Sequence, residues 1–157
     1  MLHMLCGKIA SGKSTLAAEL GGQPRTIVVS EDHWLAGLYA GEISSVNDYV
    51  RCSARLRDAM TSHLVDILRA GTSIVLDFPA NTLANRAWMR AVFEKAEAKH
   101  QLHYLDVSDE VCKARLRARN ASGSHHFSAS DAEFDFITRH FMAPTPDEGF
   151  EVIVHRS

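Results

Sequence analysis

The sequence contains little of what would set it apart from ordinary globular proteins. Its 157 residues include only three cysteines and four prolines, and aromatic residues make up 8%. Cys6, Cys52 and Cys112 are odd in number and far apart, which predicts free thiols in a reducing cytoplasm and no disulfide framework. The length, with 46% hydrophobic and 23% charged residues, predicts one domain with one core.

Long apolar runs and an excess of charge are also missing. No run approaches the roughly 20 apolar residues that cross a bilayer. Polar Lys8, Ser11 and Lys13 interrupt the apolar start, so the first residues do not form a signal peptide. The net charge of −2 predicts no overall attraction to nucleic acid or to a membrane surface.

Short β-rich runs alternate with longer helical patterns. Strands are predicted at Leu2–Leu5, Thr26–Val29, Ser73–Leu76, His103–Val107 and Glu151–Val154. The runs TIVV and SIVL are continuous and β-branched, which predicts strands buried on both faces. Helices are predicted at Lys13–Leu20, Asp48–Ala70, Leu83–Lys99, Asp109–Arg119 and Ser130–His140. This alternation predicts an α/β fold with a parallel sheet covered by helices on both faces.

Polar residues and glycines indicate where several of these helices begin and end. Gly71 is a suitable residue to follow the second helix. Ser108 is expected to cap the fourth helix, and either Ser128 or Ser130 the fifth. Because ligands bind beyond the carboxyl ends of parallel strands, the residues that follow each strand are the candidates for a functional site.

The most specific motif follows the first strand directly. GKIASGKS, from Gly7 to Ser14, matches G-x-x-x-x-G-K-[ST], with a strand before it and a helix after it. Such a loop directs several backbone N–H groups at one phosphate, and the helix that follows adds the positive end of its dipole. Lys13 is expected to reach the β- and γ-phosphates, Ser14 to ligate Mg²⁺, and Thr15 to help hold the α-phosphate. The alternative is a glycine-rich turn that fits the pattern by chance.

A phosphate-binding loop does not by itself determine the chemistry. A GTPase would carry Asn-Lys-x-Asp and Asp-x-x-Gly, and neither occurs in this sequence. A motor or helicase would need a longer chain. The remaining class is mainly the compact phosphotransferase, in which ATP passes its γ-phosphate to a hydroxyl.

Segments in matching order along nearly the whole chain resemble those of one family. They are GKIASGKSTLAAEL, VVSEDHW, SIVLDFPAN, LDVSDEVCKARLRARN and FITRHFMAPTPDEGFEVIVH. The chain resembles the small P-loop kinases, which include the 5′-hydroxyl kinase domain of phage polynucleotide kinase, zeta-toxin-like kinases, chloramphenicol phosphotransferase and gluconate kinase.

The resemblance implies a fold, two cofactors and a set of binding residues. The fold is a single three-layer P-loop domain over residues 1–157. Its five-stranded parallel sheet has the order 2-3-1-4-5, and a small lid covers residues 115–130. The cofactors are ATP and Mg²⁺. The residues that would bind the nucleotide are Gly7, Ala10, Ser11, Gly12, Lys13, Ser14, Thr15 and Arg119.

Two adjacent carboxylates follow the second strand. The family carries its acidic general base at the position of Asp32, and such a carboxylate orients the acceptor hydroxyl and takes its proton. Adjacent side chains cannot face one point, so Glu31 is expected to point elsewhere, although the sequence alone leaves open which of the two is the base. The alternative role for Asp32 is an N-cap. Polynucleotide kinases have an arginine three residues after the base, where this chain has Leu35, and this departure favours a less anionic acceptor than a nucleic-acid end.

A further carboxylate closes the third strand. Asp77 ends SIVLD, which has the pattern of a Walker B strand, and is predicted to hold Mg²⁺ or the acceptor hydroxyl. An ordinary aspartate at a strand-to-helix turn is the alternative. Asn81 follows within reach and is a weaker candidate for the acceptor site.

Basic residues cluster on two predicted helices. Arg115 and Arg119 lie at positions i and i+4, on one helix face, and are predicted to neutralise charge on the transferring phosphoryl group. The sequence leaves open whether they are catalytic or only bind ATP, and a solvated helix face is the alternative. Arg117 ranks below them. Arg55, with Arg51 and Arg57 on the long helix, is an acceptor-site candidate that surface charge explains equally well.

The sequence therefore predicts an ATP-dependent phosphotransferase whose acceptor is a small molecule or a terminal group. Lys13, Asp32, Arg115 and Arg119 are the predicted catalytic residues. Two other functions stay open: an ATP-binding regulatory ATPase without a small acceptor, and a nucleic-acid 5′-hydroxyl kinase.

Overall fold

A computed structural model describes residues 1–123 and 129–156. Five strands are present: β1 Leu2–Cys6, β2 Thr26–Ser30, β3 Ser73–Pro79, β4 His100–Asp106 and β5 Val152–Arg156. The α-helices are α1 Lys13–Gly21, α2 Glu31–Leu38, α3 Val46–Arg69, α4 Leu83–Ala96, α5 Asp109–Ser122 and α6 Asp131–Thr138. A short 3₁₀ turn covers Pro146–Glu148. None of the helices in the described ranges combines the length and apolar character that crossing a bilayer requires.

The five strands form one parallel sheet in the order β2-β3-β1-β4-β5, which confirms the predicted topology. The central strand β1 pairs with β3 on one side and with β4 on the other. All carboxyl ends therefore meet at one edge of the sheet. The loops after β1, β2 and β3 start from neighbouring points on that edge, and this arrangement brings the candidate site residues together.

The two β-branched runs differ in their burial. In β3, Ile74, Val75 and Leu76 are completely buried, as the pattern predicts. For β2 the prediction of burial on both faces is wrong, because Ile27 is 40% exposed and Val28 is 43% exposed. The reason is position, since β2 is the outermost strand on its side and only β3 pairs with it.

Most helices lie close to their predicted bounds, and the differences have local causes. The short helix α2 directly after β2 is additional, because its eight residues are too few for a clear periodicity. The strand β4 begins three residues before the predicted start, at His100, whose ring stacks on Phe93 at a centroid distance of 4.0 Å. Helix α4 ends at Ala96, before the predicted Lys99, because Glu97 adopts a φ of 54°.

The predicted helix ends are largely confirmed. Ser108 caps α5 by accepting a hydrogen bond from the Val111 amide. Ser130 caps α6 in a reciprocal capping box with Glu133. The alternative cap, Ser128, lies outside the described residues. Gly71, with a φ of 90°, follows the C-cap of α3 as predicted.

Side chains of β1 alternate between the two layers of the core. Leu2, Met4 and Cys6 belong to the larger cluster, which includes residues of α3 and α4, and Leu5 packs with Ala17 of α1. A buried row of histidines crosses the sheet on the Leu5 face: His3 Nδ1 lies 3.1 Å from His103 Nε2, and His103 Nδ1 lies 3.0 Å from His155 Nε2. Burial lowers the pKa of His103 to about 4, so the imidazole at the centre of this row is uncharged at neutral pH.

A buried arginine attaches the segment before β5 to α4. Arg86 is 1% exposed, and its Nε donates to Glu148 Oε1 at 2.6 Å. Its Nη1 also donates to the carbonyl oxygens of Ala80, at 2.9 Å, and Met142, at 2.7 Å. The Arg86 guanidinium thus donates hydrogen bonds to three separate segments of the chain. Motif analysis did not identify this role of Arg86.

Removing this arginine is expected to destabilise the fold strongly. In Arg86→Met, Glu148, whose side chain is 14% exposed, and two carbonyl groups lose their partner. We expect the free energy of unfolding to fall by about 3–5 kcal/mol. Arg117→Met is the matched control, because its ion pair with Asp131 is exposed and its loss should cost far less. Urea denaturation measures both, and equal losses would contradict the assignment.

Candidate functional site

The loop between β1 and α1 is curled by residues with left-handed backbone. Ala10 has a φ of 62° and Gly12 a φ of 105°, a value that only glycine adopts without strain. A Cβ added at Gly7 would lie 2.4 Å from Ser11 Oγ, so this position also requires glycine. The spacing of the motif therefore follows from the tight curvature of the loop, and α1 begins at Lys13 directly after it.

Lys13 folds back over this loop. Its Nζ donates to the carbonyl oxygens of Gly7, at 2.6 Å, and Lys8, at 2.9 Å. Burial lowers the pKa of Lys13 to about 8, and the nearby Cys6 and Asp77 act against the shift. The Lys13 ammonium group therefore lies at the loop, where the nearby Cys6 and Asp77 only partly offset the cost of burying its charge.

Asn81 holds the start of the same loop. Its Oδ1 accepts a hydrogen bond from the Gly7 amide at 2.9 Å, and its carbonyl oxygen accepts one from the Met142 amide at 2.8 Å. Both of these contacts are with the backbone of the protein. Asn81 is a positioning residue for the loop, a role that its place in the sequence did not indicate.

Two carboxylates lie beside the loop at the ends of neighbouring strands. Asp77 near the end of β3 pairs in register with Ser30, two residues before Asp32. Burial raises the pKa of Asp77, the charge of Asp32 raises it further, and Lys13 acts against both. Asp32, Asp77 and Lys13 are therefore close enough for their charges to interact.

The structure separates the two adjacent acids of α2. Glu31 is 4% exposed and accepts hydrogen bonds from Tyr49 Oη, at 2.5 Å, and Ser53 Oγ, at 2.7 Å. Burial raises the pKa of Glu31, which these two hydrogen bonds partly offset. Asp32 is exposed. The N-cap alternative for Asp32 is wrong, because Ser30 occupies that position and accepts from the His33 amide at 3.3 Å.

The arginines of α5 divide into two groups. Arg115 Nη1 donates to the Ser11 carbonyl oxygen at 3.2 Å, and the charge of Arg119 acts on Lys13, so both lie at the loop. Arg117 instead pairs with Asp131, at 2.5 Å. The predicted lid at residues 115–130 is described only in part, because residues 124–128 lie outside the described ranges.

Several polar groups at the loop are available to a ligand. Among the described residues, the buried Ser11 Oγ and Arg119 Nε have no hydrogen-bond partner. The side chains of Ser14 and Thr15, in the first turn of α1, are exposed. Unpartnered donors at a helix N-terminus suit a phosphate group, so the residues present fit a nucleoside triphosphate. The exposed hydroxyl of Ser14 and the half-buried carboxylate of Asp77 are ligands of the type that Mg²⁺ takes.

A pocket of about 360 Å³ opens between α3 and α4. Glu31 and Phe78 line the end nearest the loop, and Arg57, Asn85 and Trp88 line the other end. The last three also line an adjoining pocket of about 200 Å³. Arg55 is exposed and lines neither pocket.

Helical spacing could have distinguished these two arginines. Tyr49, Ser53 and Arg57 lie at i, i+4 and i+8, directly beside the buried stripe of Cys52 and Leu56. A polar side chain next to a buried stripe lies at the margin of the core, where a helix meets its neighbour. Arg55 lies on the solvent side of the same helix.

Comparisons with known proteins agree with this geometry. A family described as "AAA domain" matches residues 2–144. A presumed kinase of Chloroflexus aurantiacus has a TM-score of 0.76 at 21% identity, over 99% of this chain and 86% of that one. Kti12 of Chaetomium thermophilum in complex with ADP-AlF3 has a TM-score of 0.74 at 15% identity, over 99% and 89%. No curated protein sequence matches the chain.

A third similar structure contains both a nucleotide analogue and a second ligand. It is the APS kinase of Mycobacterium tuberculosis in complex with AMPPNP and APS, with a TM-score of 0.59 at 22% identity. The alignment covers 98% of this chain and 87% of that one. At these identities the comparison shows a shared fold, which is that of the P-loop kinases.

The lowered pKa of Lys13 predicts how stability changes with pH. Because the folded-state pKa is about 8, below the ordinary value of 10.5, the protonated side chain opposes folding below pH 8, and this cost is relieved as pH rises from 8 to 10.5. The free energy of unfolding should therefore rise with pH relative to Lys13→Met, by up to about 1.4 kcal/mol per pH unit. Urea denaturation between pH 7.5 and pH 9.5, with no nucleotide added, measures the difference. Parallel pH profiles would contradict the assignment.

Proposed function

Since the chain belongs to the AAA domain family, we propose that it is an ATP-dependent phosphotransferase of the P-loop kinase type. It transfers the γ-phosphate of Mg²⁺-bound ATP to a hydroxyl group of a small acceptor. The proposal includes the whole chain, residues 1–157, as a single domain whose lid lies at residues 115–130. The three cysteines, all buried and free, support a reducing compartment such as the cytoplasm.

One observation carries this proposal: Glu31 and Phe78, the chain neighbours of Asp32 and Asp77, line a pocket of about 360 Å³. An ATPase that acts only as a switch has no need of an enclosed space beside its phosphates. A phosphotransferase needs such a space, because the acceptor hydroxyl has to be held in line with the γ-phosphate. The shared lining by Glu31 and Phe78, each adjacent in sequence to Asp32 or Asp77, connects the pocket with the site.

The proposed phosphate contacts come mostly from backbone groups. The curled loop presents its amides to the β- and γ-phosphates, while Lys13 leaves the Gly7 and Lys8 carbonyl oxygens to contact them. Mg²⁺, when bound, would neutralise phosphate charge, and Ser14 and Asp77 would hold it. The remaining proposed binding residues are Gly7, Ala10, Ser11, Gly12 and Thr15.

Asp32 is the proposed general base. Its exposed carboxylate orients the acceptor hydroxyl and accepts the proton as the oxygen bonds to the γ-phosphorus. The bond from the γ-phosphorus to the bridging oxygen breaks, and ADP leaves with that electron pair. Glu31 is less suited to this role, because both of its oxygens already accept hydrogen bonds from α3.

Arg115 and Arg119 are the proposed stabilisers of charge during transfer. Arg115 already contacts the loop through the Ser11 carbonyl oxygen, and Arg119 has a buried Nε without a partner among the described residues. Donors placed in this way stabilise the charge that spreads over the transferring phosphoryl group. Asn81 and Arg55, proposed from the sequence as acceptor contacts, are secondary to the residues that line the pocket.

A transfer assay tests the proposal. Labelled ATP and Mg²⁺ are incubated with a panel of small hydroxyl compounds and with a 5′-hydroxyl oligonucleotide. We expect Lys13→Ala to lose nucleotide binding and Asp32→Asn to lose about 10²-fold or more in transfer while still binding ATP. Asp66→Asn, an exposed acid near the far end of α3, is the matched control and should transfer like the parent.

Two results would replace the proposal with one of its alternatives. ATP hydrolysis that needs no acceptor and is unchanged in Asp32→Asn would indicate a regulatory ATPase. Transfer only to the oligonucleotide, lost in Asp32→Asn, would indicate a nucleic-acid 5′-hydroxyl kinase.

A further inference from the structure

The far end of the pocket contains a cation that forms no salt bridge among the described residues. Arg57 is half-buried, and its Nη1 donates to Asn85 Oδ1 at 2.8 Å. Its guanidinium carbon lies 5.9 Å from the centroid of the Trp88 ring. Within residues 1–123 and 129–156, no Asp or Glu oxygen lies within 4.0 Å of its nitrogens.

The contacts around Arg57 hold it in a defined position. Trp88 Nε1 donates to Thr61 Oγ1 at 3.0 Å, and Thr61 Oγ1 donates to the Arg57 carbonyl oxygen at 2.7 Å. The backbone N–H of Asn85 donates to the Oγ1 of Thr82, which is the N-cap of α4. The guanidinium, the indole and the amide, here called the Arg57 cluster (Arg57, Asn85 and Trp88), are therefore organised before any ligand binds.

Three other cationic side chains with limited exposure have anionic partners. Arg86 pairs with Glu148, Lys8 with Asp109 and Lys113 with Asp135. Among the described residues Arg57 forms no salt bridge and donates to the neutral amide of Asn85, although its charge also acts on Glu31 in the same pocket. A half-buried charge without a salt-bridge partner costs free energy, and an anionic group of a ligand would recover it.

The rest of the pocket is mainly apolar. Val46, Val50, Phe78 and Met89 line its walls, and the carboxylate of Glu31 at the loop end is occupied by Tyr49 and Ser53. Arg57 is the one lysine or arginine among the described residues that line the pocket. Its single positive charge balances one carboxylate, whereas it would neutralise only half the charge of a dianion. The volume, near the lower limit for ligand pockets, suits one small molecule.

We propose, on the basis of the phosphotransfer function above, that the acceptor is a small hydroxylated carboxylate with an apolar or aromatic body. Its carboxylate binds the Arg57 cluster, and its hydroxyl lies toward Asp32 and Asp77. Arg57 is then a residue that determines specificity and takes no part in the transfer of the phosphoryl group.

A binding experiment without ATP tests this proposal. The probes are 4-(hydroxymethyl)benzoate and mandelate, the amide of each, and 4-(hydroxymethyl)phenyl phosphate. The protein carries Trp34→Phe, which leaves Trp88 as its single tryptophan, and indole fluorescence reports binding. We expect at least one carboxylate to bind roughly tenfold to a hundredfold more tightly than its amide.

Variants of two arginines on α3 identify the residue responsible. In Arg57→Gln, which keeps a donor for Asn85, the preference for carboxylate over amide should disappear, and Arg57→Lys should keep part of it. Arg51→Gln is the matched control, because Arg51 is 55% exposed and lines neither pocket, and it should keep the full preference. Circular dichroism and urea denaturation establish that each variant is folded.

Each remaining result overturns the proposal. These results are equal binding of carboxylate and amide, no binding of either carboxylate, tighter binding of the phosphate, or a preference that survives in Arg57→Gln. The phosphotransfer function is tested separately. If no phosphoryl transfer is found but carboxylate binding still depends on Arg57, the proposed phosphotransfer function is wrong and the anion site remains. If transfer is found but carboxylates are not preferred over their amides, only the proposed acceptor class is wrong.

Discussion

The pairing of β1 with β3 is the contact on which the site depends. Its register runs evenly from Leu2 to Met4, which pairs with Leu76, and then shifts so that Leu5 pairs with Pro79. Asp77 and Phe78 therefore have no partner on β1, and Asp77 pairs only with Ser30 of β2. Irregular pairing of this kind redirects side chains, and here it falls where a carboxylate meets the phosphate-binding loop. The Gly7 amide then reaches Asn81, which joins the loop to the segment after β3.

Buried polar groups that hold the fold together have hydrogen-bond partners, whereas some of those at the functional site do not. Arg86 has a carboxylate and two carbonyl oxygens as partners, and the members of the histidine row hydrogen-bond to one another. At the site, by contrast, Lys13 has a lowered pKa and Arg119 has an unpartnered Nε. A protein bears such costs where a ligand offsets them. Charged groups whose burial is not offset by a protein partner thus lie at the loop and at Arg57.

The parallel sheet and the loop could be predicted from short local patterns in the sequence, and the strand order from the resemblance to the small P-loop kinases. The motif from Gly7 to Ser14 requires particular backbone angles, and alternating strands and helices allow few topologies. The partners of Asn81, Arg86 and Arg57 were beyond such patterns, because they lie 28 to 74 positions away in sequence. The exposure of β2 likewise follows from its place at the edge of the sheet, which its own residues do not encode.

This division explains why the chemistry of phosphate transfer is easier to infer than the identity of the acceptor. The loop and Lys13 come from one continuous stretch, so their geometry is carried by local sequence. The pocket instead lies between α3 and α4, and every group in the Arg57 cluster depends on how those helices pack. Changes on the inner faces of two helices can therefore alter the acceptor while the loop stays the same. The acceptor has to be inferred from charge and shape in the pocket, where Arg57 is the side chain that most restricts the choice.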